Sequence, residues 1–90
     1  MIAVRGLITG KVQRVWFRRY VEEVAAKLNL TGYARNLPDG SVEVLLCGPA
    51  DAVAAGQAEV EKGPPASRVD SADWHAAAID PASVEGFTVS

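Results

Sequence analysis

The chain has 90 residues, 49% of them apolar, and a net charge of −2. That is enough for one modest core and too little for two, so a single domain spanning residues 1–90 is expected. One cysteine, Cys47, excludes an internal disulfide and fits a reducing, cytoplasmic setting. No apolar run approaches the length of a membrane span, and MIAVRGLITG alternates around Arg5 where a leader would build an apolar block, so neither a membrane partner nor a signal peptide is expected.

Met1–Thr9 reads as a strand closed by Gly10. From Phe17 to Leu30 the period changes. Phe17, Val21, Val24, Ala25 and Leu28 recur at three- and four-residue spacing, the stripe of an amphipathic helix, with Thr31-Gly32 ending it. Tyr33–Leu37 is extended, Pro38-Asp39-Gly40 is a turn, and Ser41–Cys47 pairs back as a hairpin. A second, alanine-rich helix opens at Gly48-Pro49-Ala50-Asp51 and stops near Lys62 at Gly63-Pro64-Pro65. Ser67–Ala77 is a fourth strand. Its Val69 and Trp74 fall on opposite parities, so a bulge lies between them or the strand begins late. Ile79–Ser83 is a loop and Phe87–Ser90 a short last strand. The order β-α-β-β-α-β predicts an α+β, ferredoxin-like sandwich: two helices on one face of an antiparallel sheet, with a small extra C-terminal strand.

The charge is unevenly placed. Residues 1–36 carry seven basic side chains against two acidic ones, and residues 37–90 two against nine. Four of the cations (Lys11, Arg14, Arg18 and Arg19) crowd into GKVQRVWFRR, Gly10 to Arg19, which holds no acid. The two halves either pair across the surface or leave this stretch free to meet a small anion. Its position favours an anion, because a strand-to-helix loop presents main-chain N–H groups that lack partners at a helix N-terminus. Arg18 in the first turn adds a guanidinium fork suited to phosphate.

The segment GKVQRVWFR (Gly10 to Arg18), with GYARN (Gly32 to Asn36) and LPDG (Leu37 to Gly40), resembles the acylphosphatase family. The patterns there are G-x-V-Q-G-V-x-F-R and G-aromatic-x-x-N, followed by an acidic-Gly hairpin. The likeness continues through Gly48-Pro49, Gly63-Pro64-Pro65 and the ending at Gly86, Phe87 and Val89, and so spans nearly the full length. It implies a metal-independent hydrolase of acyl phosphates that needs no cofactor. Gln13, Arg14, Val15, Trp16 and Phe17 would cradle the phosphate through their main-chain N–H groups. Arg18 would bind it by its side chain, and Asn36 would orient water. The implied small molecules are an acyl phosphate as substrate and inorganic phosphate as product and inhibitor, handled by a monomer. Trp16 and Phe17 are read as packing anchors, and Arg19 and Lys11 as solvated.

Arg14 departs from the pattern, which has glycine there. If the position needs a positive φ, arginine strains it and impairs catalysis, and a non-catalytic phosphate-binding module of the same fold becomes the alternative. A relation to the acylphosphatase-like module of hydrogenase-maturation carbamoyltransferases belongs with that alternative. Nucleic acid is not an expected partner. RNA-recognition domains of this topology stack bases on strand aromatics, and IAVRGLITG and SVEVLLC have none. Cys47 is read as a small apolar strand residue and His75 as exposed, with no Cys/His cluster to hold a metal.

Overall fold

A computed structural model describes residues 1–90. The strands are β1 (Ile2–Lys11), β2 (Thr31–Asn36), β3 (Val42–Gly48), β4 (Arg68–Ala76) and β5 (Phe87–Val89). The helices are α1 (Phe17–Leu28) and α2 (Ala50–Lys62), and a 3-10 turn covers Pro81–Ser83. The sheet order is β4-β1-β3-β2-β5. The first four strands are antiparallel neighbours, as expected of a ferredoxin-like sandwich. The fifth runs parallel to β2, so the sheet is mixed and not purely antiparallel. Neither helix is long and apolar enough to cross a membrane.

Strand alternation divides the sheet into two faces. On the helix side, Ile8, Ala34, Val42, Val44 and Leu46 meet the stripe of α1 (Phe17, Val21, Ala25) and Val53 and Val60 of α2. Gly56 lies on the same face of α2. A Cβ there would stand 2.8 Å from Leu30, so this mid-helix glycine allows a close approach to the core. The open face carries a smaller cluster of Ala3, Leu45 and Cys47, partly covered by Ala77, Ile79 and Val84. Burial pushes the Cys47 thiol pKa up, which keeps it an inert apolar group.

The parity problem in the fourth strand resolves as a bulge. The β1–β4 register passes from Thr9↔Ser71 to Gly10↔Val69, leaving Asp70 unpaired in the ladder. Val69 and Trp74 thereby reach the same helix-side core. Gly10, opposite the bulge, has φ 123° and would place a Cβ 2.1 Å from the Arg68 carbonyl. It therefore does not close β1, which continues to Lys11. The first helix is shorter than its apolar stripe predicts. Asn29 adopts a left-handed conformation, and Leu30 N–H returns to the Ala25 carbonyl at 2.8 Å, a Schellman-type end that precedes Thr31-Gly32. Leu30 then drops into the core, and β2 starts at Thr31 instead of Tyr33.

Candidate active site

The stretch between β1 and α1 folds tightly. Arg14 and Trp16 both hold positive φ, 61° and 63°, and Trp16 caps the helix with no side-chain hydrogen bond. A left-handed conformation costs a non-glycine residue about 1–2 kcal/mol. Arg14 is therefore at the kind of position where glycine is at home, as its departure from the glycine pattern warns.

The N–H groups of residues 13–19 donate to no main-chain carbonyl and to no side chain; the first main-chain bond of this region is Tyr20 N–H to the Trp16 carbonyl, 2.9 Å. Seven consecutive donors thus stand at a helix N-terminus, where the dipole favours negative charge. The neighbouring cations are equally uncommitted. Every ion pair in the molecule lies elsewhere: Arg5 and Arg35 with Glu43, Lys62 with Glu59, and Arg68 with Asp70. Lys11, Arg14, Arg18 and Arg19 pair with no acid, so the basic and acidic halves do not neutralise one another here.

Residues of the loop, of the first turn of α1 and of two strand ends share one cavity of about 440 Å³. Arg14, Arg18 and Arg19 line it, with Trp16 and Phe17 from the loop and Asn36 from the end of β2. Period two places Asn36 on the same face as the fully buried Ala34, which aims it toward the helices and away from the open face. Its Oδ1 is buried and accepts no hydrogen bond from the protein. A buried acceptor left in that state costs about 1–3 kcal/mol.

Gln13 and Val15 do not line the cavity. Val15 is buried in the core. The Gln13 Nε2 donates to the carbonyls of Leu37 and Ser41, at 2.8 and 2.9 Å. Those carbonyls flank the hairpin turn directly after Asn36. Ser41 is itself held by Asp39, whose Oδ1 accepts from the Ser41 hydroxyl and from its N–H at 3.0 Å; the hydroxyl's bond first, then the N–H, holds the Asp39 carboxyl below the usual range. The Gln13 side chain is thus a strut between the loop and the strand end that carries Asn36.

One further placement differs from the sequence-based expectations, and three lining residues go beyond them. Phe17 is 1% exposed, a true packing anchor, but Trp16 is 77% exposed and anchors nothing. Trp16, in the left-handed region, turns away from the core that Phe17 enters. Arg19 is exposed, as expected, and it also lines the cavity, as do Glu22 one turn later and Val89. Val89 arrives because β5 pairs parallel to β2, with Ala34 opposite Val89 and the Asn36 N–H donating to the Ser90 carbonyl at 3.1 Å. Its only signal in the sequence is the apolar pair Phe87 and Val89 at strand spacing. No three His, Cys, Asp or Glu side chains gather anywhere in the chain as a metal site would require.

A family model described as Acylphosphatase matches residues 4–89. An acylphosphatase of Halorhodospira halophila is 51% identical over 81 residues, covering 90% of this chain and 87% of that one. One of Rhizorhabdus wittichii is 54% identical over 72 residues, covering 80% and 73%. The crystal structure of the acylphosphatase from Bacillus subtilis superposes with a TM-score of 0.94 at 31% identity, over 100% of this chain and 99% of that one.

Proposed function

This chain belongs to the acylphosphatase family, and from that premise we propose that it hydrolyses acyl phosphates to a carboxylate and inorganic phosphate, by a metal-independent route whose machinery is the loop of residues 13–19, Arg18 and Asn36. The carrying observation is the convergence on one cavity of an unpaired Arg18, Asn36 and five of the seven loop residues whose N–H groups are free, Arg14 and Trp16 to Arg19.

In this reading the phosphoryl oxygens are held by the loop N–H groups and by the Arg18 fork. Phosphoryl transfer needs mainly alignment and stabilisation of charge on the equatorial oxygens, and donors fixed in place do both. Asn36 hydrogen-bonds a water through its side-chain amide and points the water's lone pair at phosphorus. It remains an amide throughout. The water oxygen forms the new bond to phosphorus while the bond from phosphorus to the acyl oxygen breaks. The electron pair leaves on the carboxylate, and the water's proton passes to a phosphoryl oxygen. An acyl phosphate dianion plus water gives a carboxylate and dihydrogen phosphate, with charge conserved. A carboxylate is a good leaving group, so no general acid is required.

Arg14 lowers the rate in this account. Its left-handed backbone is strained and its side chain stands in the cavity, where it holds the product anion as readily as the transition state. The same observation favours the second reading, a phosphate-binding module that does not turn over. Inorganic phosphate is expected to compete with substrate. One chain suffices, because every residue of the proposed machinery comes from it. Benzoyl-phosphate hydrolysis by the chain and by Arg14→Gly, with inorganic phosphate as competitor, tests these points together. The expected result is measurable turnover that rises in Arg14→Gly, together with a gain in stability of about 1–2 kcal/mol from relieved strain. Phosphate binding with no hydrolysis by either protein would establish the module instead.

A further inference from the structure

The cavity holds more than a phosphate's worth of contacts. Trp16 is a large apolar side chain, 77% exposed, on a backbone at φ 63° that bulky residues rarely adopt. The other indole, Trp74, shows the usual arrangement: half-buried against the core, its Nε1 donating to Glu61 at 2.8 Å. The Trp16 side chain has neither packing nor a hydrogen bond of its own, while its carbonyl caps α1 by accepting from the Tyr20 N–H. Strain of that kind, retained at a cavity edge, points to a ligand.

The reaction geometry selects which ligand part lies there. In an in-line displacement the attacking water and the departing oxygen stand on opposite sides of phosphorus. With water at Asn36, the acyl group extends away from β2. Four apolar residues line the cavity. Val12 and Phe17 are each 1% exposed and already committed to the core. Val89 belongs to β5, hydrogen-bonded alongside Asn36, and so stands on the water side. That leaves Trp16.

We infer that Trp16 is the acyl-group subsite, and that the enzyme selects acyl phosphates with an aromatic or other flat apolar acyl group over small ones, the indole face covering the acyl group as the phosphate is seated. This rests on the hydrolase reading for the direction in which the acyl group leaves. Burying one ring against an exposed indole removes apolar area from water on both partners, which predicts about a tenfold preference for benzoyl over acetyl.

Calorimetric affinities for benzoylphosphonate and acetylphosphonate, which cannot be hydrolysed, test the subsite apart from turnover. Trp16→Gly is the informative variant, since glycine suits the left-handed backbone and the fold is retained. The benzoyl preference should disappear in Trp16→Gly and largely persist in Trp16→Phe, read as the ratio of the two affinities within each protein so that any change in phosphate binding common to both ligands cancels. The kcat/KM ratio for benzoyl phosphate over acetyl phosphate should follow the same order. A Trp16-dependent benzoyl preference in a chain that hydrolyses neither substrate would support the subsite and refute the hydrolase. Equal affinities in the unmutated chain, or a preference surviving in Trp16→Gly, would overturn the subsite. So would tighter binding of an acylphosphonate ending in a carboxylate, which would hand the acyl group to Arg14 and Arg19.

Discussion

Two groups of arginines sit on this small sheet, and they behave oppositely. On the open face, Arg35 meets Glu43 and stacks 5.4 Å above the Tyr33 ring, while Arg5 reaches Glu43 at 3.4 Å and the Tyr33 hydroxyl at 3.3 Å. Those contacts hold the Arg5 pKa above its ordinary value, first through the Tyr33 hydrogen bond. At the loop end, Arg14, Arg18 and Arg19 have no acid partner and line a common cavity. The residue type is the same, and the difference lies in what completes it. Internally paired cations are surface structure. Cations left unpaired beside free N–H groups are what the proposed phosphate site draws on.

The largest effects should come from removing the loop group's reach. Arg18→Ala is expected to lose about a thousandfold in benzoyl-phosphate kcat/KM together with phosphate inhibition, because ground state and transition state both lean on that fork. Asn36→Ala should lose about a hundredfold in kcat while phosphate inhibition survives, since only the water is misplaced. Steady-state kinetics with phosphate as inhibitor separates the two, and equal loss of inhibition in both would erase the assigned division of labour. Gln13→Ala comes next. It strips donors from the Leu37 and Ser41 carbonyls and frees the loop from the strand end that bears Asn36, which should cost about 1–3 kcal/mol in denaturant unfolding. Its kcat should fall more than its phosphate affinity. The smallest effect belongs to the open face: Arg35→Met should change stability by about 0–1 kcal/mol and leave activity unchanged, the usual worth of an exposed pair. Loss of activity there would break the contrast.

Much of the frame could be read from the chain itself, because it rests on local patterns. The stripe from Phe17 fixes α1, the Pro38-Asp39-Gly40 turn fixes the hairpin, and the clash of parity between Val69 and Trp74 asks for a bulge or a late start, of which the ladder shows the bulge, at Asp70. The risk at Arg14 was also legible, since a glycine pattern points to a backbone requirement. Trp16 was not. Nothing about a tryptophan before a phenylalanine says that one enters the core and the other turns outward; the left-handed backbone that separates them is imposed by the folded loop. Nor was the strut of Gln13, whose partners lie 24 and 28 residues away. The parallel alignment of β5 was missed for the same reason. It depends on a long-range pairing with β2 that three residues of sequence do not encode, and with it went Val89's place in the cavity.

The central claim is that the main-chain N–H groups of residues 13–19 and the Arg18 guanidinium close on one tetrahedral oxyanion. Titrating isotope-labelled protein with inorganic phosphate, while following the amide and arginine Nε resonances, tests it most directly. Saturable shifts should concentrate on residues 13–19 and the Arg18 Nε, bypass Arg5 and Arg35, and vanish in Arg18→Ala. Shifts spread over both arginine groups, or confined to the open face, would contradict it.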